Sequence, residues 1–395
     1  MWFFKSPEII YGEDALEHLT TLTGRCAVIV TDRTLVQIGH AGRVQKLLET
    51  AGLSVHIYDS VEPDPSLETV QAGAAELLRI QPDWIIGLGG GSCLDAAKGM
   101  WVLYERPDVD AQAINPMESL GLRQKARFAA IPTTSGTGSE ATWAIVLTNK
   151  AERRKMGLGS REAIADLAIL DPSLVMRLPP RVTADTGLDA LTHAVEGYTC
   201  MWHNDFSDGL CLQAAQLVFQ YLPQAYQAAQ SPLADAGVEA RTHMHNAAAI
   251  AGLGFGNAMA SLAHGVGHAL GGVFHIPHGR AVSLALPYTI EYCVRGDPGT
   301  TRYAGLANFL GLAHSSEQEA AAALAGAIRD LERSLGQPLD LQACGITRAA
   351  LEGEMGLLVD NANSDTQTVT STRIPGDAEF RRLFESMWAG TPIDF

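Results

Sequence analysis

Two stretches carry side chains able to hold a metal ion. In "TGLDALTHAVEGY", Asp189 and His193 stand four residues apart; in "SLAHGVGHALGGVFHIPHG" (261–279), His264, His268, His275 and His278 fall in a segment without Asp, Glu, Lys or Arg. Positions i and i+4 share a helix face, so a carboxylate oxygen and an imidazole nitrogen can converge on one cation; His264 and His268 repeat the spacing. Burying an imidazole without a partner is costly, and so dense a set is hard to explain by packing alone. One Asp with three or four His makes a mixed oxygen and nitrogen set suited to a borderline divalent ion, Fe2+ or Zn2+, with no thiolate needed. His203, His243, His245 and His275 read as structural, buried histidines. The helix carrying Asp189 is expected to begin after Thr186 and Gly187, and His278 to lie in a turn held by Pro277 and Gly279.

A different chemistry is written in "IIGLGGGSCLDAAKG". Gly87, Gly89, Gly90 and Gly91 end an apolar strand, Ser92 takes the expected helix N-cap, and Asp95 follows three residues later. Free backbone N–H groups and the helix dipole favour an anion there, and glycine lets a diphosphate come close. The pattern is GxGGGS rather than GxGxxG, and a tight turn alone would also use such glycines. "IPTTSGTGSEAT" (131–142) is a second polar turn after a short strand; its threonines, Thr133, Thr134, Thr137 and Thr142, can bond a phosphate, a ribose or a carboxamide. Asp32 ends "VIVTD", where a carboxylate can bind ribose hydroxyls and would repel a 2′-phosphate, favouring NAD(H) over NADP(H). It can equally cap the helix "RTLVQIG".

The elements that position these residues follow from periodicity. Strands are expected at 26–32, 54–61 and 83–89 and helices at 42–52, 67–82 and 93–105, an alternation that predicts a parallel sheet of βαβ type. After "LDPSLVMRLPP" (170–180) the pattern becomes mostly helical to the C-terminus, including the Ala-rich packing helix at 317–336. The expected domains are therefore 1–180, an α/β dinucleotide-binding unit, and 181–395, an all-helical metal and substrate unit; 395 residues suit two cores. Two polar turns at strand C-termini point into one crevice.

Composition limits the partners. A net charge of -16 disfavours phosphate backbones and anionic lipid, so neither nucleic acid nor membrane is expected. The chain is uncharged between Arg241 and Arg280, but Asn246, Asn257, His264 and His268 interrupt that span and make a buried helix pair the better reading. Six scattered cysteines without a CxxC pair, and an N-terminus without a long apolar run, suggest the cytoplasm.

Together, "FFKSPEIIYGEDALEHL", "GGGSCLDAAKG", "PTTSGTGSEAT", "LDPSLV", "TGLDALTHAVEGY", "GFGNAMASLAHGVGHALGG" and "PHGRAVSLALP" resemble the iron-containing alcohol dehydrogenases over most of the chain. The resemblance implies a dehydroquinate synthase-like architecture with cofactor and metal in the cleft between the domains. It places the metal ligands at Asp189, His193, His264 and His278, and His268 beside substrate and nicotinamide. Asp32, Gly91, Ser92, Asp95, Thr133, Thr134, Thr137, Thr142 and Lys155 fall on cofactor-contacting positions, with Gly89 and Gly90 in the same turn. Asp64 stands where many relatives have Asn, and "SDTQTVTSTRIP" lacks the common Asn-Pro pair before Arg373; the residues of these two segments, Asp64 and Asp365 among them, stay unassigned.

The activity this implies is hydride transfer between a short primary alcohol or its aldehyde and NAD(H), with Fe2+, or Zn2+, acting as a Lewis acid on the substrate oxygen. His268 is the candidate to relay the hydroxyl proton or position the substrate. Homo-oligomers are expected. A glycerol-type polyol dehydrogenase, a carbon–oxygen lyase of the dehydroquinate synthase kind and a non-enzymatic metal-binding protein are the rivals; the lyase needs basic residues that the segment around His264 lacks. "FGNAMASL" and "MWHNDF" are expected to line the cleft with Phe255, Met259, Trp202 and Phe206.

Overall fold

A computed structural model describes residues 3–231, 237–312 and 315–395. Met1 and Trp2, the start of the segment read for a leader, lie outside the described residues. The first part holds β1 (Glu8–Tyr11), β2 (Cys26–Val30), α1 (Arg33–Gln37), α2 (His40–Thr50), β3 (Ser54–Tyr58), α3 (Leu67–Ile80), β4 (Trp84–Gly89), α4 (Gly91–Glu105) and β5 (Arg127–Pro132). A hairpin, β6 (Ala144–Asn149) and β7 (Arg154–Gly159), precedes β8 (Leu167–Leu170).

Six strands form a parallel sheet in the order β1-β8-β5-β4-β2-β3. Successive side chains of a strand point to opposite faces, and the packing obeys this. Val28, Ile85 and Phe128 meet α3 and α4 through Val70, Leu77 and Trp101. Ile29, Ile86 and Ile131 meet Leu16, Val44 and Leu48 on the other side. A sheet covered on both faces needs near-continuous apolar strands, which is why "WIIGLG" is buried throughout.

Two elements escaped the sequence reading. β1 is a four-residue edge strand half-exposed along its length, too short for a periodic signal. The antiparallel hairpin β6–β7 lies outside the parallel sheet, with a charged turn between its strands. It matters because it carries Lys155.

The rest is helical: α5 (Pro180–Thr199), α6 (Asp205–Ala229), α7 (Val238–Gly256), α8 (Leu262–Phe274), α9 (His278–Val294), α10 (Tyr303–Phe309), α11 (Glu317–Ser334), α12 (Arg348–Ser364) and α13 (Asp377–Ala389). They share one core, with Leu188, Leu191 and Val195 of α5 meeting Val218 and Leu222 of α6 and Leu284 of α9. α5 begins at Pro180, earlier than expected, because proline is tolerated in the first helical turn. Thr186 and Gly187 are thus interior; glycine is needed because a Cβ there would collide with Leu222. The uncharged span before Arg280 forms most of α7 and the whole of α8, both largely buried. Among the described residues no helix is long and apolar enough to cross a membrane.

Candidate functional site

α5 presents Asp189, His193 and Glu196 at spacings of four and three, on one helix face. α8 supplies His264 and His268. The glycines between these two histidines serve protein packing: a Cβ at Gly265 would collide with the Thr368 hydroxyl, and one at Gly267 with Val282. His278 is not in a turn; it is the first residue of α9, after the N-cap Pro277. Gly279 then lets α9 touch α5, since a Cβ would strike the Asp185 carbonyl.

These helices converge on the Oδ1 of Asp189. It lies 3.4 Å from Nε2 of His278, 3.7 Å from Nδ1 of His193 and 3.9 Å from Nε2 of His264. One donor atom from each of Asp189, His193, His264 and His278 fits within 4.8 Å of the others. Among the described residues, Asp189 Oδ1 and His193 Nδ1 are buried without a hydrogen-bond partner. An orphaned buried carboxylate oxygen is costly, and a cation among these donors would satisfy Asp189 Oδ1. The residues present therefore fit a divalent metal held by one oxygen and three nitrogens. Burial opposes ionisation of Asp189, yet His193 and His278 outweigh it and hold the carboxyl far below its ordinary range. Burial drives His193 down to about 3, so its imidazole is neutral, as a ligand must be.

Glu196 was not anticipated. Its carboxylate accepts from Nδ1 of His264 at 2.5 Å and from the backbone of Ser261 at 2.9 Å and Ala263 at 2.5 Å. Burial works against a charged His264, but Glu196 raises its pKa above the ordinary value. The pair fixes the ring so that Nε2 faces the cluster. The signal was present in "THAVEG", where glutamate follows His193 by three. Asp365 was also unassigned, and its Oδ2 accepts from Nδ1 of His268 at 2.8 Å. Segment 261–279 has no carboxylate of its own, and the partners of His264 and His268 come from distant segments.

The metal-ligand wall bounds a cavity of about 180 Å³ whose opposite side is the α/β part. His193, His264, His268 and His278 line it on one side, and Gly91, Ser92, Asp95, Thr137, Thr142 and Lys155 on the other. The helix N-cap is Gly90 rather than Ser92, with no side-chain cap. The Ser92 hydroxyl instead accepts from the Asp64 amide at 3.2 Å. The two polar turns press on each other: a Cβ at Gly90 would sit 3.3 Å from Thr134 and one at Gly91 2.7 Å from Thr137. Lys155 donates to Asp64 at 2.5 Å, and Lys155 holds that carboxyl below its usual range although burial opposes it.

Behind the turn, Lys98 is wholly buried and donates to the Ser139 carbonyl at 2.6 Å and the Ala144 carbonyl at 2.9 Å. Asp95 accepts from Ser139 Oγ at 2.6 Å and from the Val146 amide at 3.1 Å, so both its oxygens anchor the loop. The spacing "DAAK" was the available signal for Lys98.

Asp32, Gly89, Gly90, Thr133 and Thr134 do not line the cavity. Asp32 caps α1, accepting from the Leu35 amide at 3.0 Å. Of the aromatic lining expected, Phe255 alone is there, stacked on His193 with ring centroids 4.0 Å apart. Trp202 and Phe206 are 43% and 74% exposed, and Met259 does not line the cavity. Of the histidines read as buried and structural, His245 is buried, with Ser135 Oγ 3.2 Å from its Nδ1, and burial drives it down to about 4. His243 stacks on Tyr221, whereas His203 and His275 are exposed: His203 follows the end of α5 and His275 caps α8 in a left-handed conformation.

Comparison with known proteins bears on this arrangement. A family model described as iron-containing alcohol dehydrogenase matches residues 6–172, and one described as Fe-containing alcohol dehydrogenase family, C-terminal, matches residues 183–388. The NADPH-dependent butanol dehydrogenase of Clostridium saccharobutylicum is 36% identical over 397 residues, covering 100% of both chains. The bifunctional aldehyde-alcohol dehydrogenase of Escherichia coli (strain K12) is 35% identical over 99% of this chain, which spans 46% of that longer protein. A crystal structure of a 1,3-propanediol oxidoreductase superposes with a TM-score of 0.88 at 30% identity, covering 98% of this chain and 100% of the other. With both family models matched on either side of the linker and the helical donor cluster facing the glycine turn, the chain belongs to the iron-containing alcohol dehydrogenase family.

Proposed function

We propose that this chain is an NAD(H)- and iron-dependent alcohol dehydrogenase that interconverts short primary alcohols and their aldehydes. The observation that carries the reading is the single cavity in which three of the four donor residues, with Asp189 behind them, face the uncapped N-terminus of α4. Residues 1–180 are taken as the dinucleotide-binding domain and 181–395 as the metal and substrate domain. Asp189, His193, His264 and His278 would hold the metal; Zn2+ is the competing ion. When bound, the metal supplies Lewis-acid polarisation of the substrate oxygen, and the nicotinamide accepts or donates the hydride.

The remaining work falls to the chain. Amides at the start of α4 and the hydroxyls of Thr137 and Thr142 would bind and orient the cofactor. Asp365 occupies Nδ1 of His268, leaving Nε2 to hold or pass the hydroxyl proton of the alcohol. Phe255, Ala260 and Val146 give the cavity an apolar wall that excludes water and suits a short alkyl chain. The butanol dehydrogenase relative is NADPH-dependent, but a carboxylate at Asp32 favours NAD(H). The reading includes a homo-oligomer in the cytoplasm, and light scattering of the purified protein reports the assembly.

The test is a substrate panel after reconstitution with Fe2+ or Zn2+. The reading expects 1-propanol and 1-butanol to turn over faster than glycerol, with NAD+ preferred over NADP+. Glycerol as the best substrate would select the polyol reading. Metal uptake without any enhancement of NADH fluorescence would select a non-enzymatic metal-binding protein.

A further inference from the structure

Asp64 and Lys155 meet on the α/β wall of the catalytic cavity, and both line it. Lys155 Nζ donates to Asp64 Oδ1 at 2.5 Å; the lysine side chain is 5% exposed and the carboxylate 52%. Among the described residues no second carboxylate pairs with Lys155. Asp64 lies within electrostatic reach of His278 and His268, and Lys155 within reach of His278, so the pair acts on the space in front of the metal-ligand wall. It is not needed as a clasp. The Asp64 loop and the hairpin are already joined by the Thr148 amide, which donates to the Pro65 carbonyl at 2.8 Å, and by Lys150 to Glu62 at 3.2 Å.

The diphosphate, riboses and adenine are common to both redox forms of the cofactor. What differs is the nicotinamide ring, which carries a positive charge when oxidised and none when reduced. An unpaired ammonium facing that ring would disfavour the oxidised form. We propose that Asp64 sets the preference between NAD+ and NADH: its carboxylate cancels the charge of Lys155, so that the cavity tolerates the cationic ring and releases the reduced cofactor more readily. The proposal rests on the dehydrogenase reading above, with the nicotinamide in this cavity. Asparagine tests it cleanly. The Asp64 backbone is left-handed, with φ 53°, and its amide donates to Ser92 Oγ at 3.2 Å. Asn visits that conformation as Asp does, so Asp64→Asn removes the charge and keeps the turn.

The experiment measures dissociation constants for the metal-loaded protein, NADH by its fluorescence and NAD+ by displacement of NADH. Wild type is compared with Asp64→Asn and with Asp64→Asn combined with Lys155→Met. In Asp64→Asn the ratio of the NAD+ constant to the NADH constant should rise on the order of tenfold. The double variant carries neither charge and should return the ratio to within about twofold of wild type, even where both affinities weaken. Damage to the turn alone would weaken both forms alike and leave the ratio unmoved. An unchanged or lower ratio in Asp64→Asn, or a ratio that stays raised in the double variant, overturns the proposal while leaving the dehydrogenase reading intact. A wild-type protein that binds neither form when loaded with metal overturns that reading, and the proposal with it.

Discussion

The two sides of the catalytic cavity do their work by opposite means. On the helical side, Asp189 Oδ1 lies 3.4 to 3.9 Å from nitrogens of three imidazoles, and two further carboxylates, Glu196 and Asp365, fix ring orientation from behind. On the α/β side, the working feature is close backbone approach: Gly90 and Gly91 bring the start of α4 against Thr134 and Thr137. One wall is specified by charged and imidazole donors, the other by glycines that let hydroxyls and backbone amides crowd together. Substitutions should therefore damage the two walls separately, removing metal on one side and cofactor affinity on the other.

The largest effect is expected from His264→Ala. Metal content should fall from one per chain towards zero, and turnover by on the order of 10³-fold or more, while NADH still binds. Stoichiometric metal in that variant, measured by atomic emission, would contradict the ligand assignment. Next comes Glu196→Gln, which keeps the shape but removes the charge holding His264; metal affinity should drop by roughly 10- to 100-fold in a chelator competition. An unchanged affinity would reduce Glu196 to a packing residue.

On the other wall, Gly91→Ala should raise the KM for NAD+ about tenfold with metal content unchanged, a loss of roughly 1.4 kcal/mol. Loss of metal in this variant would break the separation of the walls. The smallest effect concerns Glu140, behind the same loop, where burial, against the pull of Lys98, pushes the carboxyl up to about 7. Unfolded, it titrates near ~4.3. Because the folded pKa is the higher, the stability it contributes is full below the unfolded value and is lost as pH rises through about 7. Glu140→Gln should therefore gain in Tm over the wild type between about pH 4.5 and pH 7.5. Parallel Tm curves across that window would contradict this.

The same contrast explains what could be seen in the sequence. Asp189 with His193, and His264 with His268, were legible because helical spacing converts directly into shared faces. The central strands were legible because a sheet covered on both sides demands continuous apolar runs. Asp365 was not, since its contact with His268 spans 97 positions and depends on how the segment after α12 folds back. Nor was the true start of α5, because Pro179 and Pro180 read as breakers when Pro180 is the first helical residue. Trp202 and Phe206 misled as cleft residues because aromatic character does not report which side of a turn faces solvent.

The central claim, that the four donors on α5, α8 and α9 hold the metal facing the α4 N-terminus, is tested most directly by diffraction at the iron absorption edge from iron-reconstituted crystals with NAD+. One anomalous peak is predicted, bonded to Asp189, His193, His264 and His278, with the nicotinamide in the same cavity beside His268. An iron peak elsewhere on the chain, or a nicotinamide outside that cavity, would contradict it.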